Sequence, residues 1–209
     1  FRSLGIDVGT GGVRACAIDP QGGIRGFASI ALPAPRVDGN AIDQNPELWW
    51  QAAAAAIRKL GETVGLGDVT RIVVDGTSGT LLLVDAAGRP CSPGLMYNDA
   101  RATHEAARVA AVAPRESGAH GASSALAKLL YLQNDGYIGD ARHAVHQADW
   151  IAGRLANHHA ISDENNALKL GYDPVARAWP SWLDQLGVRD DLRSEERRVG
   201  KECRSRWSP

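Results

Sequence analysis

Apolar and polar positions alternate from the first residues of the chain. Ile6 and Val8, then Val13, Ala15 and Ala17, predict two short strands joined by the turn Gly9-Thr10-Gly11-Gly12. Its glycines tolerate positive φ, as a tight hairpin often requires. After "DPQGGI", a third strand is expected over 24–32. A Pro-rich loop, "PAPRVDGNAID", leads into "NPELWWQAAAAAIRKL". Asn45 is placed to cap a helix and Pro46 to begin it, with Trp49, Ala53, Ala56, Ile57 and Leu60 on one face. The adjacent tryptophans are expected to anchor packing.

The period then changes. Ile72-Val73-Val74 predicts a buried strand, and Leu81-Leu82-Leu83-Val84 a second one. Helices are expected through "THEAARVAAV", over 124–133 and after Gln147, the last preceded by a short strand. This order predicts an α/β layered fold whose mixed sheet opens with an antiparallel three-stranded meander and is flanked by helices.

Composition narrows the classes. With 209 residues, 44% hydrophobic and 22% charged, the chain suits one large domain or one domain plus an extension. No apolar run is long enough to span a membrane, so no membrane partner is expected. A formal net charge of −1 leaves no basic footprint for nucleic acid. Cys16, Cys91 and Cys203 are widely spaced and odd in number, which points to a reducing, cytoplasmic setting. The domain is expected over 1–192. The stretch from Arg193 to Pro209, "RSEERRVGKECRSRWSP", reads as a disordered, non-native-looking tail similar to translated vector sequence. Without it the chain is more acidic, at a net −4 from 17 basic and 21 acidic residues.

Three polar stretches carry candidate chemistry. The first is Asp7 with Gly9, Thr10, Gly11, Gly12 and Arg14. Backbone N–H groups of such a turn can surround phosphate oxygens, Arg14 can pair with phosphate, and Asp7 can orient a Mg²⁺-bound water. The same residues also suit an ordinary hairpin. The second, "DGTSGT", places Thr77, Ser78 and Gly79 at the end of a strand, where ligands bind in α/β sheets. The third, "YNDARA", sets Asn98, Asp99 and Arg101 ahead of a helix, for ligand contact, helix capping or both. His143, His146, His158 and His159 lack the further ligands a metal site needs, and His104 and His120 are expected at the surface or in loops.

"GIDVGTGGVRA", the "WW" helix, "VDGTSGTLLLVDAAGRP", "YNDARA", "SSALAKLLYL", "QADWIAGRLA" and "SDENNALKLGYD", in that order, resemble the FGGY family of carbohydrate kinases over about residues 3–188. The resemblance implies an actin-like, ribonuclease H-like domain, the N-terminal half of an enzyme that transfers the ATP γ-phosphate to a sugar or polyol. It implies ATP and Mg²⁺ as cofactors, Asp7 as the catalytic and metal-side carboxylate, and Gly9, Thr10, Gly11, Gly12 and Arg14 at the phosphates. Thr77, Ser78, Gly79, Asn98, Asp99 and Arg101 would contact the sugar. The general base is expected in a second domain, so the fragment alone is expected to be inactive. The branch looks like the D-ribulose and D-xylulose kinases, with D-ribulose favoured. Tyr97 and Tyr131 stand where the family pattern has Trp. Lys128 matches a family lysine and reads equally as a solvated helix lysine or a site residue. A homodimer is the expected protein partner. The alternative is a non-catalytic actin-like nucleotide-binding scaffold.

Overall fold

The alternation builds the first sheet as expected. In the computed structural model, which describes residues 2–159 and 161–193, Arg2–Gly9 (β1) and Gly12–Ile18 (β2) send Leu4, Ile6, Val8, Val13, Ala15 and Ala17 into one core. Ile24–Ala31 (β3) completes the antiparallel meander. The Pro-rich stretch is not a plain loop: it folds into the hairpin Arg36–Asp38 (β4) and Ala41–Gln44 (β5). These strands are too short and polar for their alternation to register in sequence.

Pro46–Val64 (α1) begins where expected. The Asn45 side chain accepts from the Glu47 N–H at 3.0 Å, and Pro46 occupies the first turn. Trp49, Ala52, Ala53, Ala56 and Leu60 are buried against the sheet, while Ile57 sits at the margin. Trp49 meets Trp150 edge-on, with ring centroids 6.2 Å apart, and its Nε1 donates to Gln44 Oε1.

Val69–Gly76 (β6) returns parallel to β1, giving the order β3-β2-β1-β6. It is not the buried strand expected: Ile72 and Val73 are 48% and 65% exposed, because β6 forms one edge of this sheet among the described residues. A short apolar run does not reveal how many of its sides are covered.

The chain forms two sheets where one was expected. Leu81–Val84 (β7) joins a second sheet, β4-β5-β8-β7-β9, with Gly94–Leu95 (β8) and His143–His146 (β9). All four β7 residues are buried because the strand divides two cores. Leu82 and Val84 face α1 and Trp150; Leu81 and Leu83 face the helix Ala125–Asn134 (α3). Ser124 caps α3 by accepting from the Ala127 N–H at 3.1 Å. Thr103–Val112 (α2), Gln147–Ala156 (α4) and Glu164–Lys169 (α5) complete the α-helices of the described residues. None of the described helices is long and apolar enough to cross a membrane.

The core reaches past Val188 to Leu192, which is fully buried. Arg193, counted above with the tail, belongs to this folded end and pairs with Asp190 at 2.9 Å. The tail expectation otherwise concerns 194–209, which lie outside the described residues.

Candidate active site

Parallel pairing of β1 and β6 sets Asp7 opposite Asp75 and Val8 opposite Gly76. The Gly9–Gly12 turn and the Thr77–Thr80 turn therefore leave from the same sheet end, the carboxyl ends of two parallel strands, where α/β sheets bind ligands.

Gly9 pairs with Gly12, leaving Thr10 and Gly11 exposed at the hairpin tip. The expected positive φ is absent from these glycines. Close approach explains Gly12 instead: a Cβ there would stand 2.7 Å from the Ile30 carbonyl oxygen of β3. At Gly11 a Cβ would meet nothing within 4 Å, so the backbone is open to a ligand oxygen.

Asp7 and Arg14 are cross-strand neighbours, and Arg14 Nη1 donates to Asp7 Oδ2 at 2.7 Å. Both side chains are about half exposed, at 49% and 52%, so the pair contributes about 1 kcal/mol at most and can exchange for a ligand at little cost. Asp75, which opens the "DGTSGT" stretch but carries no role from sequence, stands beside Asp7 in the parallel register. Its Oδ1 accepts from the Gly76 N–H at 2.9 Å. The signal for it was an aspartate near the end of each apolar strand, in Asp7-Val8-Gly9 and in Asp75-Gly76.

In the second turn, the left-handed conformation is required of Gly79, whose φ is +84°. Gly79 and Thr80 are buried and Ser78 is exposed at the tip. The turn is held from below by α4: Gln147 Oε1 accepts from the Thr77 N–H at 3.3 Å, and the Gln147 N–H donates to the Thr80 carbonyl at 3.1 Å.

The third stretch divides. Tyr97 and Asn98 are exposed, but Asp99 has no exposed surface. Asp99 accepts from the Ile42 N–H at 2.6 Å, from the Arg101 N–H at 3.2 Å and from Arg101 Nε at 2.9 Å. Arg101 Nη2 also pairs with Asp43 at 2.6 Å, and Arg36 binds the same Asp43. Burial alone would raise the Asp43 carboxyl, but hydrogen bonds from Arg36 and Arg101 hold it below the usual carboxylate range. Asp99 and Arg101 thus tie this loop to β5. The capping alternative is corrected: α2 starts at Thr103 after the N-cap residue Ala102, with no side-chain cap.

Lys128 is not a solvated helix lysine. It is fully buried, and its Nζ donates to the carbonyls of Gly79 (2.8 Å), Met96 (2.6 Å) and Tyr97 (3.2 Å). Burial pushes its pKa down to about 8. Its place on a helix face gave no sign of this. Among the described residues, no group of three or more His, Cys, Asp and Glu could hold a metal ion.

A meander with a parallel fourth strand, and polar turns at its carboxyl end, defines this domain as actin-like, of the ribonuclease H-like type. The solved structures it resembles share that fold. A Brucella ovis xyloylose kinase superposes with a TM-score of 0.85 at 24% identity, covering 96% of this chain and 43% of that one. A Lactobacillus acidophilus gluconate kinase superposes with a TM-score of 0.83 at 18% identity, covering 95% of this chain and 42% of that one. Residues 3–179 match the model for the N-terminal domain of the FGGY family of carbohydrate kinases, and the chain belongs to that family. Among curated proteins, the xylulose kinase of Escherichia coli K12 is 32% identical over 112 residues, which is 54% of this chain and 23% of that protein. The chain therefore spans less than half the length of these relatives.

Proposed function

We propose that this chain is the sugar- and phosphate-binding part of an ATP-dependent kinase acting on a ketopentose, with D-xylulose preferred to D-ribulose. The observation that carries the proposal is the β1–β6 register, which brings the Asp7 hairpin and the Ser78 turn to one end of one sheet. Preference for D-xylulose rests on the curated relatives named xylulose kinases, from Escherichia coli and Streptomyces coelicolor among others. The family's sugar kinases supply the precedent for the reaction.

Bound ATP with Mg²⁺ would supply the transferable phosphoryl group and neutralise its developing charge. The residues present fit that group. Thr10 and Gly11 offer open backbone at the hairpin tip. Asp7 and Asp75 offer two adjacent carboxylates, the number Mg²⁺ ordinarily takes from protein when phosphate oxygens and water complete its shell. Arg14 holds the Asp7 side chain in place until the ligand arrives. The exposed Ser78 hydroxyl and Asn98 amide can each donate to and accept from sugar hydroxyls. Asp99, saturated by its partners, is no general base, so that group would come from the second domain of the family's enzymes. A cytoplasmic location and self-association as a homodimer belong to the same proposal. The exposed Phe27 and Val73 support the second.

Isothermal titration of the 209-residue chain with D-xylulose, D-ribulose, gluconate, glycerol and Mg·ATP tests it. The expected result is binding of D-xylulose and of Mg·ATP, without sugar-dependent ADP release in a coupled assay. Mg·ATP binding with silence towards every sugar would overturn the proposal in favour of a nucleotide-binding scaffold. A preference for D-ribulose would overturn the substrate choice.

A further inference from the structure

We propose that Lys128 is a positioning residue that clamps the Ser78 turn to the Tyr97–Asn98 loop, so that the two are presented to the sugar as one rigid surface. The inference rests on the function proposed above, since that function gives both loops a common ligand.

The geometry is specific. Lys128 lies in the first half of α3, between the two loops and 31 to 49 residues from its three acceptors. An ammonium has three N–H donors, and three backbone carbonyls receive them: one from the turn, two from the loop. No carboxylate stands within ion-pair distance of Nζ among the described residues. The charged groups acting on it are Asp99, which favours its charge, and Arg101, which opposes it. From α2 the nearest acid, Glu105, is bound by Asn134 at 3.2 Å, and β7 carries no ionisable side chain.

A buried ammonium without a carboxylate is costly, and packing alone would be better served by Met or Leu. Most neighbours of Lys128 on α3 are such residues: Leu126, Leu129 and Leu130. What Lys128 adds is a link between segments that no strand pairing joins. Gly79 precedes β7, whereas Met96 and Tyr97 follow β8, and these two strands share only the Leu81–Leu95 pair. The exposed Ser78 and Asn98 are each one residue from a clamped carbonyl. Their separation is therefore set through Nζ, and sugar recognition depends on such placement.

Three measurements test the clamp. In wild-type protein labelled with [¹⁵N]lysine, one of the four lysines is expected to show slowly exchanging ammonium protons, lost on Lys128→Met. Absence of such a signal at mildly acid pH would overturn the proposal and does not depend on any variant folding. By hydrogen exchange, Lys128→Met is expected to speed the amides of 77–80 and 96–98 together by roughly tenfold, the loss of about one buried hydrogen bond's worth. The core variant Leu129→Ala should weaken protection without singling out those loops. Unchanged loops, or loosening of one alone, would overturn the clamp. In titrations, Lys128→Met is expected to bind D-xylulose roughly tenfold more weakly, while Leu129→Ala, though less stable, keeps wild-type affinity. Equal loss in both variants would reduce Lys128 to a packing residue. If the wild-type chain binds no sugar at all, the proposed function fails while the exchange and resonance measurements still decide the clamp.

Discussion

Replacing Arg101 by Met removes the centre of the Arg36–Asp43–Arg101–Asp99 network. Asp43 keeps Arg36 as a partner, but Asp99 stays fully buried with the N–H groups of Ile42 and residue 101 as its remaining hydrogen-bond donors. Removing one member of a buried pair leaves an uncompensated charge, which costs about 3–5 kcal/mol. For a chain of this size that corresponds to a fall in Tm of roughly 6–20 °C. Arg36→Met is the control: the Arg36 side chain is 57% exposed, so its loss is expected to cost about 1 kcal/mol or less. Urea unfolding followed by tryptophan fluorescence, with six tryptophans in the chain, measures both. The acid limb of the stability curve gives a second handle. Asp43 titrates below its unfolded value, so its contribution is complete above that value and is lost as pH falls through the lower folded one. Arg101→Met should shrink that acid-sensitive component. If Arg101→Met costs no more than Arg36→Met, the network is not structural, and Arg101 returns to the list of residues free to bind a ligand.

The hairpin glycines separate by their surroundings. Gly12→Ala drives a Cβ towards the Ile30 carbonyl and should cost about 1–3 kcal/mol, whereas Gly11→Ala, with open space around it, should stay within about 0.5 kcal/mol of wild type, as thermal melting would show. For Lys128 the pH slope has the same sign as for Asp43, but here burial disfavours the charged form. Its folded pKa of about 8 lies below the ordinary 10.5, so between those values the unfolded chain holds more protons and stability rises with pH. Relative to Lys128→Met, wild type should gain on the order of 3 kcal/mol across that window, and a difference independent of pH would refute the burial of a charged amine.

Where elements are specified by nearest neighbours, sequence and structure agree. The β1–β2–β3 meander follows from strict alternation, because every second residue of a strand faces the same side. α1 starts at Asn45-Pro46 and α3 at Ser124 because those side chains satisfy N–H groups two or three residues on. The Asp7 hairpin was legible as a candidate site for the same reason: acid, turn and arginine lie within eight residues and become cross-strand neighbours.

The remainder was set by contacts that no local window contains. That the second apolar run would leave the first sheet and divide two cores depends on its pairing with β9, some sixty residues later. From sequence, Asp99 read as a loop residue for ligand contact or capping, and Lys128 equally as a solvated helix lysine or a site residue. Their burial was decided by Asp43 and Ile42 in one case and by Gly79, Met96 and Tyr97 in the other. Periodicity reports which side of an element is apolar, and local hydrogen bonds report where it begins. Whether a charged group may be buried depends on partners that only the folded chain can bring to it, since without them the desolvation cost would keep it in water.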